Sequence, residues 1–298
     1  MNSAEMQKAI ALLNSAQVVG MPTETVYGLA AKIDLSDGIA KIFTTKQRPD
    51  FDPLIVHVSS IDQAKECTSH WSETAQKLAE AFWPGPLTLI LPKASHISGR
   101  ITSGLTSVGL RCPNHPVALE LIRATGPLAA PSANRFGKTS PTTKAHVDSE
   151  FEGSVFTLDG GSCQVGIEST VVGVFDDRLE IYRPGSITKS QLEQLSQLKV
   201  SNVQSPVSPG ALKHHYMPDV PMYLSLENEN PAELKNLKFN TISLPLRPEL
   251  AARELYQLMR QASAPGIEAI LLVKHKEQVG ELWDGIWNRV SKAITKEI

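Results

Sequence analysis

The sequence predicts an α/β fold in two parts, and three observations carry that prediction. Short apolar runs rich in branched residues alternate with stretches of helical spacing through the first half. After about Ile187 the chain turns polar and then proline-punctuated, before a strand-strand-helix-strand-helix pattern closes it. Its 298 residues, 41% of them hydrophobic, supply core for one large domain or two smaller ones.

The elements follow in order. Met1 to Leu13 reads as an amphipathic helix, with Ile10, Leu12 and Leu13 on one side. Gln17–Met21 is a buried strand stopped by Pro22, and Ser36–Phe43 is a short helix. Leu54–Val58 is a strand; Ser72–Phe82 is a helix broken by Trp83-Pro84-Gly85-Pro86. Leu87–Leu91, Ser107–Cys112 and Gly126–Ala130 are strands, with a helix over Pro116–Thr125. Thr170–Phe175 and Leu179–Arg183 form a hairpin around Asp176-Asp177. Ser190–Lys199 is helical, and the prolines between Ser201 and Pro221 mark a linker. Val220–Leu226 and Thr241–Leu246 read as strands, Pro248–Ala262 as a helix, Ile270–Val273 as a strand and Trp287–Ile298 as a closing helix. The division expected is a first domain over 1–190, a linker or lid over 191–220 and a small α/β domain over 221–298.

A net charge of -2 excludes a globally basic nucleic-acid binder. Three scattered cysteines give neither a zinc pattern nor a disulfide framework, which fits a reducing compartment. The N-terminus lacks the cationic start and apolar run of a signal peptide, and no stretch approaches the roughly 20 apolar residues that span a bilayer. The expectation is a cytoplasmic protein without a membrane segment.

Lys46 and Arg48 follow the hydroxyl-rich Pro22–Leu29 turn and resemble half of an anion site. Arg111 and Arg183 supply the other half, each at a strand end, where open α/β sheets place ligands. Arginine suits carboxylate and phosphate through its planar fork. Taken singly, each is read more simply as a solvated or ion-paired charge; the set is harder to dismiss. Thr23, Thr25, Ser107, Ser132, Ser140 and Ser169 could be turn and cap residues, or could line a polyphosphate with backbone amides. His57, inside an apolar strand, is either a satisfied core histidine or a ligand contact. Glu24 and Glu168, set among threonine, serine and glycine, could bind Mg²⁺ or orient arginines. GxxxxGK[ST], GxGxxG, HExxH and GxSxG are all absent, which argues against Walker, dinucleotide, zincin and serine-hydrolase sites.

At these residues the chain resembles the YrdC-like family, in particular its two-domain threonylcarbamoyl-AMP synthases. The resemblance runs through Pro22–Leu29, Lys46–Pro49, Pro53–His57, Trp83–Thr88, Gly109–Pro113, Pro131–Asn134, Gly166–Val172 and Arg183–Gly185, in order. Ser208-Pro209-Gly210 with His215-Tyr216 extends it into the linker; Trp287–Val290 carries a weaker match in the second domain.

The resemblance implies a twisted sheet domain with a concave basic cavity and a smaller, Rossmann-like C-terminal domain. It implies synthesis of threonylcarbamoyl-AMP from L-threonine, bicarbonate and ATP, with Mg²⁺, for the threonylcarbamoyladenosine modification of tRNA. It assigns Lys46 and Arg48 as catalytic, and Lys46, Arg48, Asp52, Ser107, Ser132, Asn134, Ser140, Arg183 and Tyr216 to ATP. Thr25, His57, Arg111, Ala130 and Ser169 fall to threonine. Asp52 departs from the family's asparagine; an acid there either repels phosphate or contacts ribose or metal. Ala211–His214 is less basic than the family's linker. Implied partners are proteins that transfer the threonylcarbamoyl group to tRNA, with a weak contact to tRNA itself left open. No metal ligand and no general base is assigned. The rival readings are an RNA-binding module without adenylate-forming activity, and a carbamoyl-transfer domain of the hydrogenase-maturation kind, against which the low cysteine count argues.

Overall fold

The computed structural model describes residues 3–49, 51–203, 215–227 and 232–298. Helix α1 (Ser3–Asn14) leads to strands β1 (Val19–Met21) and β2 (Gly28–Lys32), helix α2 (Ser36–Lys46) and strand β3 (Ile55–His57). Helices α3 (Ile61–Glu66) and α4 (Glu73–Phe82) precede strands β4 (Leu87–Pro92) and β5 (Ser107–Arg111). Next come α5 (Pro116–Thr125), β6 (Leu128–Ala129), α6 (Lys144–Glu150), the hairpin β7 (Thr170–Val174) and β8 (Arg178–Arg183), α7 (Lys189–Ser196) and β9 (Lys199–Asn202). The second part holds β10 (Met222–Leu226), β11 (Phe239–Ser243), α8 (Pro248–Ala262), β12 (Ala269–Lys274), α9 (Glu281–Ala293) and β13 (Lys296–Glu297).

The helix ends follow local chemistry. Ser72 caps α4 by accepting from the Ala75 N–H. Pro116 opens α5, where its missing N–H costs nothing, and Gly126 with φ 85° closes it. Thr188 and Gln191 form a reciprocal capping box on α7.

Strands β1 to β9 form one mixed sheet of nine strands in the order β1-β2-β6-β3-β5-β4-β7-β8-β9. Side chains alternate across it. Leu54, Val56, Leu87, Leu89, Leu91, Val108, Leu110 and Val172 face one way and build the main core, with Ile39, Ile42, Ala75, Leu78 and Leu192 of α2, α4 and α7. Register puts the other set together: Ile55 beside Gly109, His57 beside Arg111, Ile90 beside Gly109, Thr88 beside Val171. This second face carries small or polar residues at Gly109, His57, Arg111 and Thr88.

The second sheet has four strands, all parallel, in the order β11-β12-β10-β13. It makes the small α/β unit that the sequence pattern implied. Its helices α8 and α9 pack onto the first sheet's loops, sharing a core that includes Val26, Ile167, Tyr256 and Ile286. The approach is close enough to demand glycine: a Cβ on Gly166, whose φ is +82°, would lie 2.3 Å from Arg253 Cα. Likewise, a Cβ on Gly285 would lie 3.1 Å from Gly185 Cα.

Four local expectations change. The closing helix spans Glu281–Ala293, and Lys296–Glu297 pairs with β10 as a strand. β2, read as part of a turn, is a strand of small residues (GLAAK) with no branched signal. The short α3 and α6, of 6 and 7 residues, carry too little sequence for a helical period to show. α7 and β9 occupy the start of the expected linker, and β9 pairs with β8, so the first sheet runs to Asn202. Most of the remaining linker, 204–214, lies outside the described residues.

Candidate functional site

A narrow cavity of about 50 Å³ sits on the open face of the large sheet, where β3 and β5 end. Arg48, Arg111 and Arg183 all line it, with His57, Ser132, Ser169 and Tyr216. All three arginines are buried, so each guanidinium must satisfy its donors inside the protein.

Arg48 follows Gln47, which caps α2 in the left-handed conformation (φ 52°) and turns the chain toward the site. Its Nη2 lies 2.8 Å from Asp52 Oδ2 and donates to the Pro53 carbonyl at 3.0 Å. Burial pushes the Asp52 carboxyl above the usual carboxylate range, and Arg48, Lys46 and Arg183 pull it back. Arg183 donates through Nε to the Ser169 carbonyl (3.1 Å) and through Nη2 to Ser169 Oγ (3.2 Å). Ser169 Oγ is also 2.7 Å from Thr88 Oγ1. Arg111 Nη2 lies 2.8 Å from Glu24 Oε1. That contact is an ion pair by distance without hydrogen-bond alignment, since both Glu24 oxygens and Arg111 Nη2 lack an aligned partner.

His57 is the register partner of Arg111 and is held neutral, pushed down to about 3 by burial and then by the Arg111 charge. His215 lines the cavity beside Tyr216, ring centroids 4.1 Å apart, and is likewise pushed down to about 3, chiefly by burial. Tyr216 is 1% exposed and takes φ 64°, a conformation that costs a non-glycine residue energy and persists only where its surroundings hold it.

The structure brings Arg48, His57, Arg111, Ala130, Ser132, Ser169, Arg183 and Tyr216 together on one cavity. Other expected residues stand behind it. Lys46 Nζ donates to the main-chain carbonyls of Ser132 (2.6 Å) and Asn134 (2.5 Å), holding the Pro131–Asn134 turn from below. Asn134 spends its amide on the Arg135 and Lys138 carbonyls. Thr25 is 2.9 Å from Thr23 Oγ1, and it is Thr23 that reaches the wall. Ser140 donates to Glu168, which does reach the wall. Asp52 is spent on Arg48. Ser107 lies at the other end of β5 and lines a separate cavity of about 640 Å³ further along the same face, with Ile90, Gly173 and Tyr182.

Sequence reasoning left Glu168 open and gave no role to two residues that meet it. Arg289 of α9 donates through Nε to Glu168 Oε2 (3.0 Å) and through Nη2 to the Glu168 carbonyl (3.0 Å). Tyr256 of α8 donates to Glu168 Oε2 at 2.9 Å. Burial alone would raise the Glu168 carboxyl; Arg289, Arg183 and the Ser140 hydroxyl overcome it and hold it near 2. One sequence signal was available. Arg289 falls on the apolar stripe of Trp283, Ile286, Val290 and Ala293, where a charge needs a buried partner.

A mixed sheet carrying an arginine-lined cavity, joined to a small parallel α/β unit, defines a two-domain α/β protein. The comparisons place it further. The Sua5/YciO/YrdC family model, described as telomere recombination, matches residues 11–185, and the threonylcarbamoyl-AMP synthase C-terminal domain model matches 187–294. The chain belongs to the Sua5/YciO/YrdC family, in its two-domain form. A threonylcarbamoyl-AMP synthase of Bacillus subtilis is 45% identical over 231 residues, covering 74% of this chain and 66%, just under two thirds, of that protein. One of Pyrococcus abyssi is 31% identical over 319 residues, covering 96% and 92%. The crystal structure of P. abyssi Sua5 complexed with L-threonine superposes with a TM-score of 0.89 at 30% identity, over 100% of this chain and 97% of that one. Escherichia coli YciO, at 21% identity and a TM-score of 0.54 over 62% of this chain, shares the fold of the first sheet.

Proposed function

We propose that this chain condenses L-threonine, bicarbonate and ATP into threonylcarbamoyl-AMP, pyrophosphate and water. The observation that carries the reading is the convergence of Arg48, Arg111 and Arg183 on one buried cavity with His57, Ser132 and Ser169. Three buried guanidiniums in so small a space suit a ligand with several small anionic groups. A polynucleotide backbone cannot reach them, which disfavours the RNA-binding reading. The solved relative holds L-threonine.

The roles follow from position. Arg111, whose Nη2 lacks an aligned acceptor and whose register partner is His57, takes the threonine carboxylate. Neutral His57 adds no second positive charge there. The threonine amine attacks the bicarbonate carbon and water leaves, giving a carbamate. A carbamate oxygen then attacks the α-phosphorus of ATP, and the bond to the β-phosphate oxygen breaks. Such a transfer needs alignment and charge neutralisation more than a covalent nucleophile. Arg48 and Arg183 stabilise the charge that develops on the phosphates, with Lys46 fixing the Pro131–Asn134 turn that presents Ser132. Mg²⁺ enters as part of the nucleotide substrate, carried by phosphate oxygens. Glu24, Asp52 and Glu168, the carboxylates of the site, are each committed to an arginine.

The nucleotide would lie with its phosphates at Arg48 and Arg183 and its base toward Ser107, which stands about 13 Å along β5 from Arg111. The cavity beside Arg111, about 50 Å³, is well under the ~300 Å³ of small ligand sites, so substrate binding requires its lining to rearrange. No helix among the described residues is long and apolar enough to cross a membrane. We place the enzyme in the cytoplasm, handing its labile adenylate to proteins that transfer the threonylcarbamoyl group to tRNA. Threonine- and bicarbonate-dependent pyrophosphate release tests the reading; release that ignores threonine would overturn it.

A further inference from the structure

We infer that the second domain is a built part of the nucleotide side of the cavity, acting through Arg289, which positions Glu168, Ser140 and the turn bearing Arg183. This deepens, and rests on, the function proposed above. Arg289 is fully buried and commits its whole fork: to the Glu168 carboxylate and carbonyl at 3.0 Å each, to the Gly285 carbonyl at 3.1 Å, and to the Pro184 carbonyl. Three of those four acceptors belong to the first domain. A buried ion pair adds little stability over a well-packed apolar pair, so its value here is orientation.

What the fork orients is chain next to the site. Glu168 precedes Ser169 and Pro184 follows Arg183, and Arg183 Nη2 donates to Ser169 Oγ at 3.2 Å. The other oxygen of Glu168, Oε1, accepts the Ser140 hydroxyl at 2.6 Å, while Oε2 accepts the Tyr256 hydroxyl at 2.9 Å beside Arg289 Nε. Arg289 also lies 5.9 Å from the Tyr216 ring centroid. The glycine contacts fix the register: Gly166 against Arg253 and Gly185 against Gly285 leave no room for a side chain between the domains. Arg111 and His57, on the threonine side, are outside this network. Arg289 and Tyr256 are therefore positioning residues for the nucleotide side, and they touch no substrate.

The network also carries a pH signature. With Arg289 in place, Glu168 stays ionised down to about 2 and accepts from Ser140. Without Arg289, burial is opposed only by Arg183 and the Ser140 hydroxyl, so the carboxyl protonates at higher pH, and protonation turns an acceptor into a donor facing Ser140.

The test is steady-state pyrophosphate release by the full chain, varying ATP and threonine separately, between pH 5 and 8. Arg289→Met should raise KM for ATP by roughly ten- to a hundredfold, the size of a lost charged hydrogen bond. KM for threonine should stay within about twofold, and kcat/KM for ATP should gain an acidic limb beyond that of the unsubstituted enzyme. Tyr256→Phe removes one hydroxyl at constant shape, so it decides the matter if Arg289→Met does not fold. It should raise KM for ATP by about three- to tenfold, again sparing threonine. Unchanged kinetics in these variants, or both KM values rising together with no new limb, overturns the inference while the functional reading stands. An unsubstituted chain with no threonine-dependent release overturns both.

Discussion

Arg111 Nη2 lies 2.8 Å from Glu24 Oε1, both side chains buried, yet without the alignment of a hydrogen bond. Glu24 thus balances the charge of Arg111, whose Nε donates to the Gly85 carbonyl at 3.4 Å, and in the proposed function the guanidinium also takes a second carboxylate. Arg111→Ala should raise KM for threonine by about a hundredfold, the upper part of what a buried charged pair carries, with KM for ATP little changed. Its Tm should fall as well, because Glu24 is left buried and unpaired, at roughly 3 kcal/mol. Kinetics with each substrate varied, alongside thermal melts, checks both; equal losses for ATP and threonine would deny the clamp.

Lys46 differs in kind. Its ammonium holds two main-chain carbonyls of the Pro131–Asn134 turn, and burial, then the Arg48 charge, pushes it well below the ordinary lysine range. Lys46→Met should cost about 2 kcal/mol of stability and slow pyrophosphate release together. Denaturant melts and initial rates on the same preparation test this; slower release at unchanged stability would return Lys46 to direct contact with the phosphates.

Asp52 pairs with Arg48 at 2.8 Å, a counterion that an incoming phosphate must displace. Asp52→Asn should lower KM for ATP by about three- to tenfold, since like charge at a phosphate site disfavours binding. Titration with a non-hydrolysable ATP analogue checks this directly. Weaker binding in the variant would mean that Asp52 itself contacts the nucleotide.

Acid should destabilise the fold in two stages. His57 and His215 are each pushed from 6.5 to about 3, so the folded state resists protons that the unfolded chain accepts. Stability from these histidines is full above about 6.5 and is lost as pH falls toward 3. Glu168, held near 2 against an ordinary 4.5, adds a second loss below 4.5. Melts across pH 4 to 8 should therefore decline more steeply below 6.5. A Tm that rises on acidification would contradict the buried, neutral state of these rings.

Much of the site was legible because its chemistry lies in compact motifs. Arg48, Arg111 and Arg183 stand at strand ends or tight turns that punctuate the sequence, and the cavity unites them. What could not be read was which hydroxyl or cation faces inward. Thr23 and Thr25 are two residues apart in one turn, and only the folded backbone decides that Thr23 meets the cavity. Lys46 looks like a phosphate contact in sequence and spends its donors on carbonyls of a turn 86 residues away. Ser107 shares a strand and a face with Arg111, but strand rise separates their cavities. In the second domain the elements were legible from helical and strand periods, while the Arg289–Glu168 pair, 121 residues apart, was not. Only the apolar setting of Arg289 hinted at it.

In the proposed function, one cavity brings threonine and ATP together for adenylate formation. The measurement that tests it most directly is pyrophosphate release from purified full-length chain with ATP, Mg²⁺, bicarbonate and L-threonine, each omitted in turn, with the nucleotide product weighed by mass spectrometry. The account predicts release that stops when threonine or bicarbonate is withheld, and a product with the mass of threonylcarbamoyl-AMP. Folded protein that binds ATP but forms no such adduct with all four present would contradict it.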